Sequence, residues 1–473
     1  MSTIKGHPMK KAFIHLIKEK QNTKQSTLFS YVEEVEWIDP LTFYHNGQSI
    51  YAGERFFWKD RDGELTLAGL GNIHTLRSEA TDNGRYKEIE DKWELLMKQA
   101  SIHNSFEAYG TGPCVFGGFS FDPEQMQEKE WSNFSPAFFY VPEFMLTSYN
   151  GKMYLTTNII CTPDDSSILF DKAESRKNQL LRSSKYLVSN TNEAQPLLQI
   201  NEGNTHEWKQ SVSQVVSHIQ RDEELKKVVL ARKITADFKE DLLPEAVLES
   251  LLEQQPDSFI FSFEAMDSCF LGASPERLVR KRDQVALSTC LAGSIRRGST
   301  EEEDQALGEE LLGDHKNLVE HDYVVQMIGE EMSGLCEKIN IPEKPVLMKI
   351  RDIQHLYTPV VGHADKNLSI LNFVEKLHPT PALGGLPTEK ALEEIRKLEK
   401  MDRGLYAAPV GWMDYRKNGE FAVAIRSGLL KKKQAFLYAG CGVVEDSDAE
   451  SEFTETRIKF RPMLRAIGGA ERE

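Results

Sequence analysis

The chain is poor in several things at once. No run of about 18 apolar residues occurs anywhere in its 473 residues, so nothing reads as a membrane-spanning helix. It has 6 cysteines (Cys114, Cys161, Cys269, Cys290, Cys336 and Cys441), and no two form a CxxC pair. They read as scattered thiols of a reducing compartment rather than a disulfide framework or a zinc site. The first 20 residues carry basic side chains but no apolar core segment, so no signal peptide is expected and the expected location is the cytoplasm. Positive charge is in deficit, with 57 Lys+Arg against 73 Asp+Glu and a net charge of −16. Such a balance argues against a general nucleic-acid or anionic-membrane binder, since both surfaces would repel the chain. A small anionic substrate is still allowed if it meets a local cluster of Lys, Arg, metal or backbone N–H groups. Walker A, HExxH and GxSxG motifs, and a GxGxxG after a strand, are all missing, as is any internal repeat.

What remains is an ordinary globular composition, 40% hydrophobic and 27% charged. The length suits about three domains or one large interleaved one. The clearest composition shift falls at 189–204 (SNTNEAQPLLQINEGN), read as a linker or surface loop. It separates an N-terminal region, 1–195, expected to pack into the same fold, from a catalytic domain expected at 200–468. Strands are predicted at 115–121, 137–141, 227–231, 259–264, 268–271, 284–291, 410–415, 420–430 and 434–444. Asn150-Gly151 predicts a hairpin between 144–148 and 152–157. Helices are predicted at 205–220, 243–255, 300–312, 318–336 and 388–400, the last capped by Thr388, with a final helix from Asp448 and a helix ending within 100–106. Strands follow strands through short turns without regular βαβ alternation. That favours an α+β fold with antiparallel sheets.

Chemistry-bearing residues gather late in the chain. Glu452, Glu455 and Lys459 lie at i, i+3 and i+7 of the final helix, on one face. Two carboxylates so spaced can hold a hard cation such as Mg²⁺, although surface ion pairs use the same spacing. A second acidic helix carries Asn317, Glu320, His321 and Asp322, with the same two readings. Glycines after strands, at Ala292-Gly293 and Gly440-Cys441-Gly442, let a backbone N–H face an anion or simply permit a tight bend. Arg426, on an otherwise apolar strand, calls for a carboxylate from protein or ligand. Lys227 opens the apolar strand KVVLA. A partly buried lysine beside a cation can serve as a general base, whereas one at a sheet edge keeps its head in water.

Taken in order, KVVLAR (227–232), GASPERL (272–278), LAGSIRRG (291–298), EHDYVV (320–325), HPTPALGGLP (378–387), RGLYAAPVGW (403–412), AVAIRSG (422–428), LYAGCGVV (437–444) and ESEFTETRIK (450–459) resemble the chorismate-utilising enzymes. That family includes anthranilate synthase component I, and the match runs from about 205 to 464. FGGFSFDP (116–123) and LAGLG (67–71) look like its longer isochorismate-forming members. The resemblance implies one large domain of antiparallel sheets in a sandwich-like core with outer helices, and Mg²⁺ as cofactor. It implies Glu320 and Glu455 as direct metal ligands, and Glu452 as a ligand directly or through water. Asn317 stands where relatives often have an acid. Arg426, Tyr438 and Lys459 are implied as contacts to substrate carboxylates, helped by the backbone of Gly293 and Gly440. His355, in QHLYT, resembles the family's ring-side histidine.

Three positions select the branch. Lys227 matches members that add water; anthranilate-type members generally carry Gln there. Ala292 replaces the lysine by which aminodeoxychorismate synthases attack the ring. Ala382-Leu383 stands where amine-adding and lyase relatives tend to have a Thr-containing sequence. The resemblance therefore implies the isochorismate synthase branch, of the menaquinone type, with no obligate glutaminase partner. Lys227 would take a proton from water aimed at C2 of chorismate, and Glu276, protonated through burial, would give one to the departing 4-hydroxyl. The alternatives are a salicylate synthase, a siderophore-pathway isochorismate synthase, or a non-catalytic chorismate-binding protein. Oligomeric state is not readable from the sequence.

Overall fold

Runs such as Ala137–Val141 and Phe259–Ala265 are buried along their whole length, rich in the aromatic and branched side chains that fit a pleated surface. They form strands of two extended sheets. The structure is a computed structural model that describes residues 8–20, 26–185, 196–351 and 353–469. Among these residues the first sheet has thirteen strands and the second ten. Every described pair is antiparallel except Thr27–Val35 with Ser101–His103.

Both sheets interleave early and late parts of the chain. The first runs from Leu197–Asn201 through Lys227–Phe238, Gln434–Val443, Ser427–Lys431, Ser268–Ser274 and Phe259–Ala265. It then continues into Arg55–Lys59 and on to Thr27–Val35 through the ladder Ile260 to Lys59. The second runs through Ile353–Ala364, Val285–Arg296, Arg277–Arg282, Gly419–Val423 and Pro409–Asp414, then into Cys114–Phe119 at Val410 and Gly118. Between the sheets lies an aromatic core. Phe56 of the first stacks on Phe116 of the second at 4.5 Å and 5°, with Phe263, Phe138 and Tyr140 around them, all buried. Helices cover the outside with a single buried stripe each; Thr205–Arg221 buries Ser211, Val212, Val215 and Ile219. Fold class and the Asn150-Gly151 hairpin follow the sequence pattern, both turn residues having positive φ.

Four expectations change. The strand predicted at 420–430 is two strands in different sheets, Gly419–Val423 and Ser427–Lys431. They are broken at Arg426, whose φ of 51° no strand can keep. The stretch 100–106 does not end a helix but holds the short strand Ser101–His103. Thr388 is not a cap: it begins the helix Thr388–Leu398 after Pro387, whose φ of −63° presets the turn, and no side chain caps it. Of the linker predicted at 189–204, residues 189–195 lie outside the described residues, and Leu197–Asn201 joins the first sheet.

The shared core makes a prediction. Phe116→Ala should cost about 3–5 kcal/mol in chemical denaturation and lower the midpoint of the whole transition. A separate N-terminal transition that leaves the rest of the unfolding curve unchanged would contradict a common core.

Candidate active site

Two crossovers between the sheets run side by side. At 274–277 the chain leaves Ser268–Ser274 of the first sheet for Arg277–Arg282 of the second. At 423–427 it returns from the second sheet to the first. Backbone bonds lock one to the other: Val423 N–H donates to Glu276 C=O at 3.0 Å, and Ala273 N–H to Arg426 C=O at 3.1 Å. The Ser274 hydroxyl donates to Val423 C=O at 2.5 Å. Glu276 and Arg426 thereby reach one cavity of about 350 Å³. Arg277 anchors the first crossover through Glu420 at 2.6 Å and Asp62 at 2.7 Å.

The cavity floor comes from Lys227–Phe238 paired with Gln434–Val443, which sets Gly442 beside the start of the lysine's strand. A Cβ at Gly442 would stand 2.6 Å from Lys227 Cε, so glycine there leaves the lysine room to lie as it does. Lys227 Nζ donates to Glu320 Oε1 at 2.5 Å, from the helix His315–Ser333, whose first turn Asp314 caps through Asn317 N–H at 2.7 Å. On the helix Ala449–Ala466, Lys459 Nζ donates to Gly440 C=O at 2.8 Å and pairs with Glu455 at 2.5 Å. Ala382 and Leu383 form one wall, and Arg403 fixes that wall to the floor by donating to Leu383 C=O at 3.0 Å and Val229 C=O at 2.7 Å. On the second sheet a bulge at 291–294 gives Gly293 a φ of 79° and brings its backbone to the cavity.

Electrostatics sort the titratable groups. Burial pushes Glu276 up to about 7, against the pull of Arg426, Lys227 and Lys459, so its carboxyl holds a proton near neutral pH. Burial, then Arg426 and Lys459, lowers His355 to about 3, leaving a neutral imidazole. Its Nδ1 meets Ser294 Oγ at 2.8 Å, while its buried Nε2 has no protein partner among the described residues. Burial opposes ionisation of Glu320, but Lys227 holds its carboxyl below the usual range.

Eleven of the thirteen expected site residues line this cavity: Lys227, Glu276, Gly293, Glu320, His355, Ala382, Leu383, Arg426, Gly440, Glu455 and Lys459. Tyr438 does not. It lies on the same strand face as Gly440 but two residues, about 7 Å, further along. It is packed there between the Trp131 and Tyr406 rings, and Tyr406 fronts the cavity instead. Glu452 does not line it either: its Oε1 accepts from the Ser447 hydroxyl at 2.8 Å, and burial raises its carboxyl. Among the described residues no group of three or more His, Cys, Asp or Glu side chains is arranged to hold a metal ion. The three expected metal glutamates therefore do not form one cage, because Glu320 and Glu455 are each turned onto a lysine. The donor set nonetheless suits Mg²⁺, being all carboxylate oxygen, and half-buried Glu452 lies within electrostatic reach of Glu455.

Residues 13–468 match the family model described as chorismate binding enzyme. The chain belongs to the chorismate-binding enzyme family. Isochorismate synthase MenF of Bacillus subtilis is 40% identical, with all of both chains covered. A salicylate biosynthesis isochorismate synthase of Pseudomonas aeruginosa is 33% identical over 98% of this chain and 96% of its own. The fold is shared with the menaquinone-specific isochorismate synthase MenF of Escherichia coli, at TM-score 0.76 and 23% identity, covering 97% of this chain and 99% of that one. It is shared too with anthranilate synthase component I of Streptococcus pneumoniae, at TM-score 0.70 and 20% identity, covering 85% of this chain and 92% of that one. Arg403 and Tyr406 also line this cavity and were not expected from the sequence, although both stand in RGLYAAPVGW. No pattern of spacing marks a buried arginine whose targets are carbonyls.

The raised Glu276 makes a stability prediction. The folded state keeps this proton up to about pH 7, while the unfolded carboxyl releases it near 4.5. The group's contribution is therefore complete below pH 4.5 and lost as pH rises through 7. Glu276→Gln should then gain stability over the parent with rising pH, by up to about 3 kcal/mol above pH 7. Urea unfolding at pH 5 and pH 8 checks this, and an equal difference at both would contradict it.

Proposed function

We propose that this protein is an isochorismate synthase, using Mg²⁺ to interconvert chorismate and isochorismate in the cytoplasm, for menaquinone formation. The observation that carries the reading is one cavity uniting an amine, Lys227, a proton-holding carboxyl, Glu276, two further cations, Arg426 and Lys459, and two glutamates, Glu320 and Glu455. A cyclic dicarboxylate with a leaving hydroxyl uses every one of these. The full-length likeness to the Bacillus subtilis isochorismate synthase MenF supports the activity, and the menaquinone role is supported by the Escherichia coli MenF that shares that name and this fold. Free thiols at all six cysteines support the cytoplasm, and no helix among the described residues is long and apolar enough to cross a membrane.

Arg426 and Lys459 bind the substrate carboxylates and orient the ring. Glu320 and Glu455 would hold Mg²⁺, with Glu452 close behind, directly or through water. Bound there, Mg²⁺ supplies Lewis-acid charge at the ring carboxylate. Lys227, as the free amine, accepts a proton from water as its oxygen bonds to C2; to reach that state Nζ must lose its ammonium proton to solvent and give up its hydrogen bond to Glu320. The ring double bonds shift, and the C4–O bond breaks as Glu276 protonates the departing hydroxyl. One water enters and one leaves, so the product is an isomer and the reaction runs both ways. Neutral His355 lines the cavity, and Ala382, Leu383 and Gly293 shape its walls. No glutaminase partner is required, because the nucleophile is water.

Purified protein with chorismate and Mg²⁺ should yield isochorismate in an isochorismatase-coupled assay, and EDTA should abolish it. Salicylate with pyruvate would instead make it a salicylate synthase, and binding without turnover a non-catalytic relative. Lys227→Ala should lower kcat by about 10²-fold or more. Because Glu276 must be protonated to act, kcat/KM should fall as pH rises above about 7, and a flat profile there would reject it as the acid.

A further inference from the structure

The bulge that brings Gly293 to the cavity leaves a backbone debt. Strand register jumps from Leu291 opposite Tyr357 to Ser294 opposite His355, so Ala292 and Gly293 have no Cα partners on Ile353–Ala364. The carbonyl of Ala292 is taken by a side chain of the neighbouring helix: His321 Nδ1 lies 2.9 Å from it. His321 is 2% exposed, and its Nε2 lies 2.8 Å from Thr358 Oγ1 on the strand beyond the bulge. A carbonyl can only accept, so Nδ1 carries the hydrogen and Nε2 accepts from the threonine hydroxyl. One turn earlier Asn317 packs over Gly293, where a Cβ would come within 3.2 Å of Asn317 Cβ. Asn317 and His321 are i and i+4, and Glu320 sits between them on the same helix.

We infer that His321 is a positioning residue, clamping the helix that bears Glu320 to the Ala292-Gly293 bulge so that the Glu320 carboxylate and the Gly293 backbone hold a fixed spacing across the cavity. The inference rests on the proposed magnesium site, because its consequence is a preformed Glu320 oxygen. The ring itself does not line the cavity. Its removal acts by letting the helix shift against the bulge, and sub-ångström slack at a ligand is enough to weaken a divalent site.

Two substitutions separate clamp from bulk. His321→Leu fills the space but removes both hydrogen bonds. His321→Asn places an N–H near the Nδ1 position and can still donate to Ala292 C=O. Calorimetric titration of each purified protein with Mg²⁺ alone is the readout, with thermal unfolding in EDTA recorded in parallel. The Leu variant should bind Mg²⁺ about 10–100-fold more weakly than the parent, and the Asn variant should recover most of that loss. Thr358→Val, which removes only the hydroxyl that Nε2 accepts from, should weaken Mg²⁺ in the same direction by a smaller factor. Parent-like Mg²⁺ affinity in His321→Leu, whatever its melting temperature, overturns the clamp. Equal loss in the Leu and Asn variants overturns the hydrogen-bond argument. Failure of the parent itself to bind Mg²⁺ would overturn the magnesium site and the clamp together.

Discussion

Everything at the site hangs on the paired crossovers at 274–277 and 423–427. A strand that stays in one sheet presents alternate side chains to two faces. A strand that changes sheets must turn a few residues out of either ladder, and here those residues are Glu276 and Arg426. Reciprocal bonds between the crossovers, Val423 N–H to Glu276 C=O and Ala273 N–H to Arg426 C=O, leave little freedom in where the carboxyl and guanidinium stand. Arg426 adopts a φ of 51°, which in a non-glycine residue carries a modest cost, and the surrounding ladders hold it there. The two sheets thus act as the jig, and the joint between them carries the chemistry.

That joint is crowded with charge, and the charges balance in pairs. Lys227 meets Glu320, Lys459 meets Glu455, and Arg403 meets Glu399. Buried charges left alone would cost several kcal/mol each, so pairing is what permits them in a partly dry cavity. Glu276 is the exception. It has three cations within electrostatic reach, yet burial still dominates and keeps its proton near neutral pH. A carboxyl that is protonated beside a cluster of cations is poised to give that proton to a leaving group. The two lysine–glutamate pairs are poised differently, since each lysine head is flexible and can yield its carboxylate oxygen to a divalent cation.

Much of this was legible in the sequence, for physical reasons that differ from residue to residue. Glu452, Glu455 and Lys459 could be placed on one helical face by spacing alone, and Asn-Gly fixed a hairpin. Gly293, Gly440 and Gly442 announced close backbone approach. The roles of Lys227 and Glu276 came through resemblance, since a lone lysine at a strand start has no periodicity to betray it. Tyr438 came only through resemblance, and the packing of its ring between Trp131 and Tyr406 depends on partners far apart in the chain. The break at Arg426 was invisible, since AVAIRSGLL alternates well enough for one strand. His321 and Arg403 work through backbone carbonyls exposed by a bulge and a loop, and those carbonyls exist only once the strands are paired.

The most direct test is a crystal structure of the protein with Mg²⁺ and isochorismate bound. The account predicts Lys227 Nζ within hydrogen-bond reach of the C2 oxygen on one face of the ring, and the Glu276 carboxyl near C4 on the other. Both groups on one face, or either turned away from the ring, would contradict it.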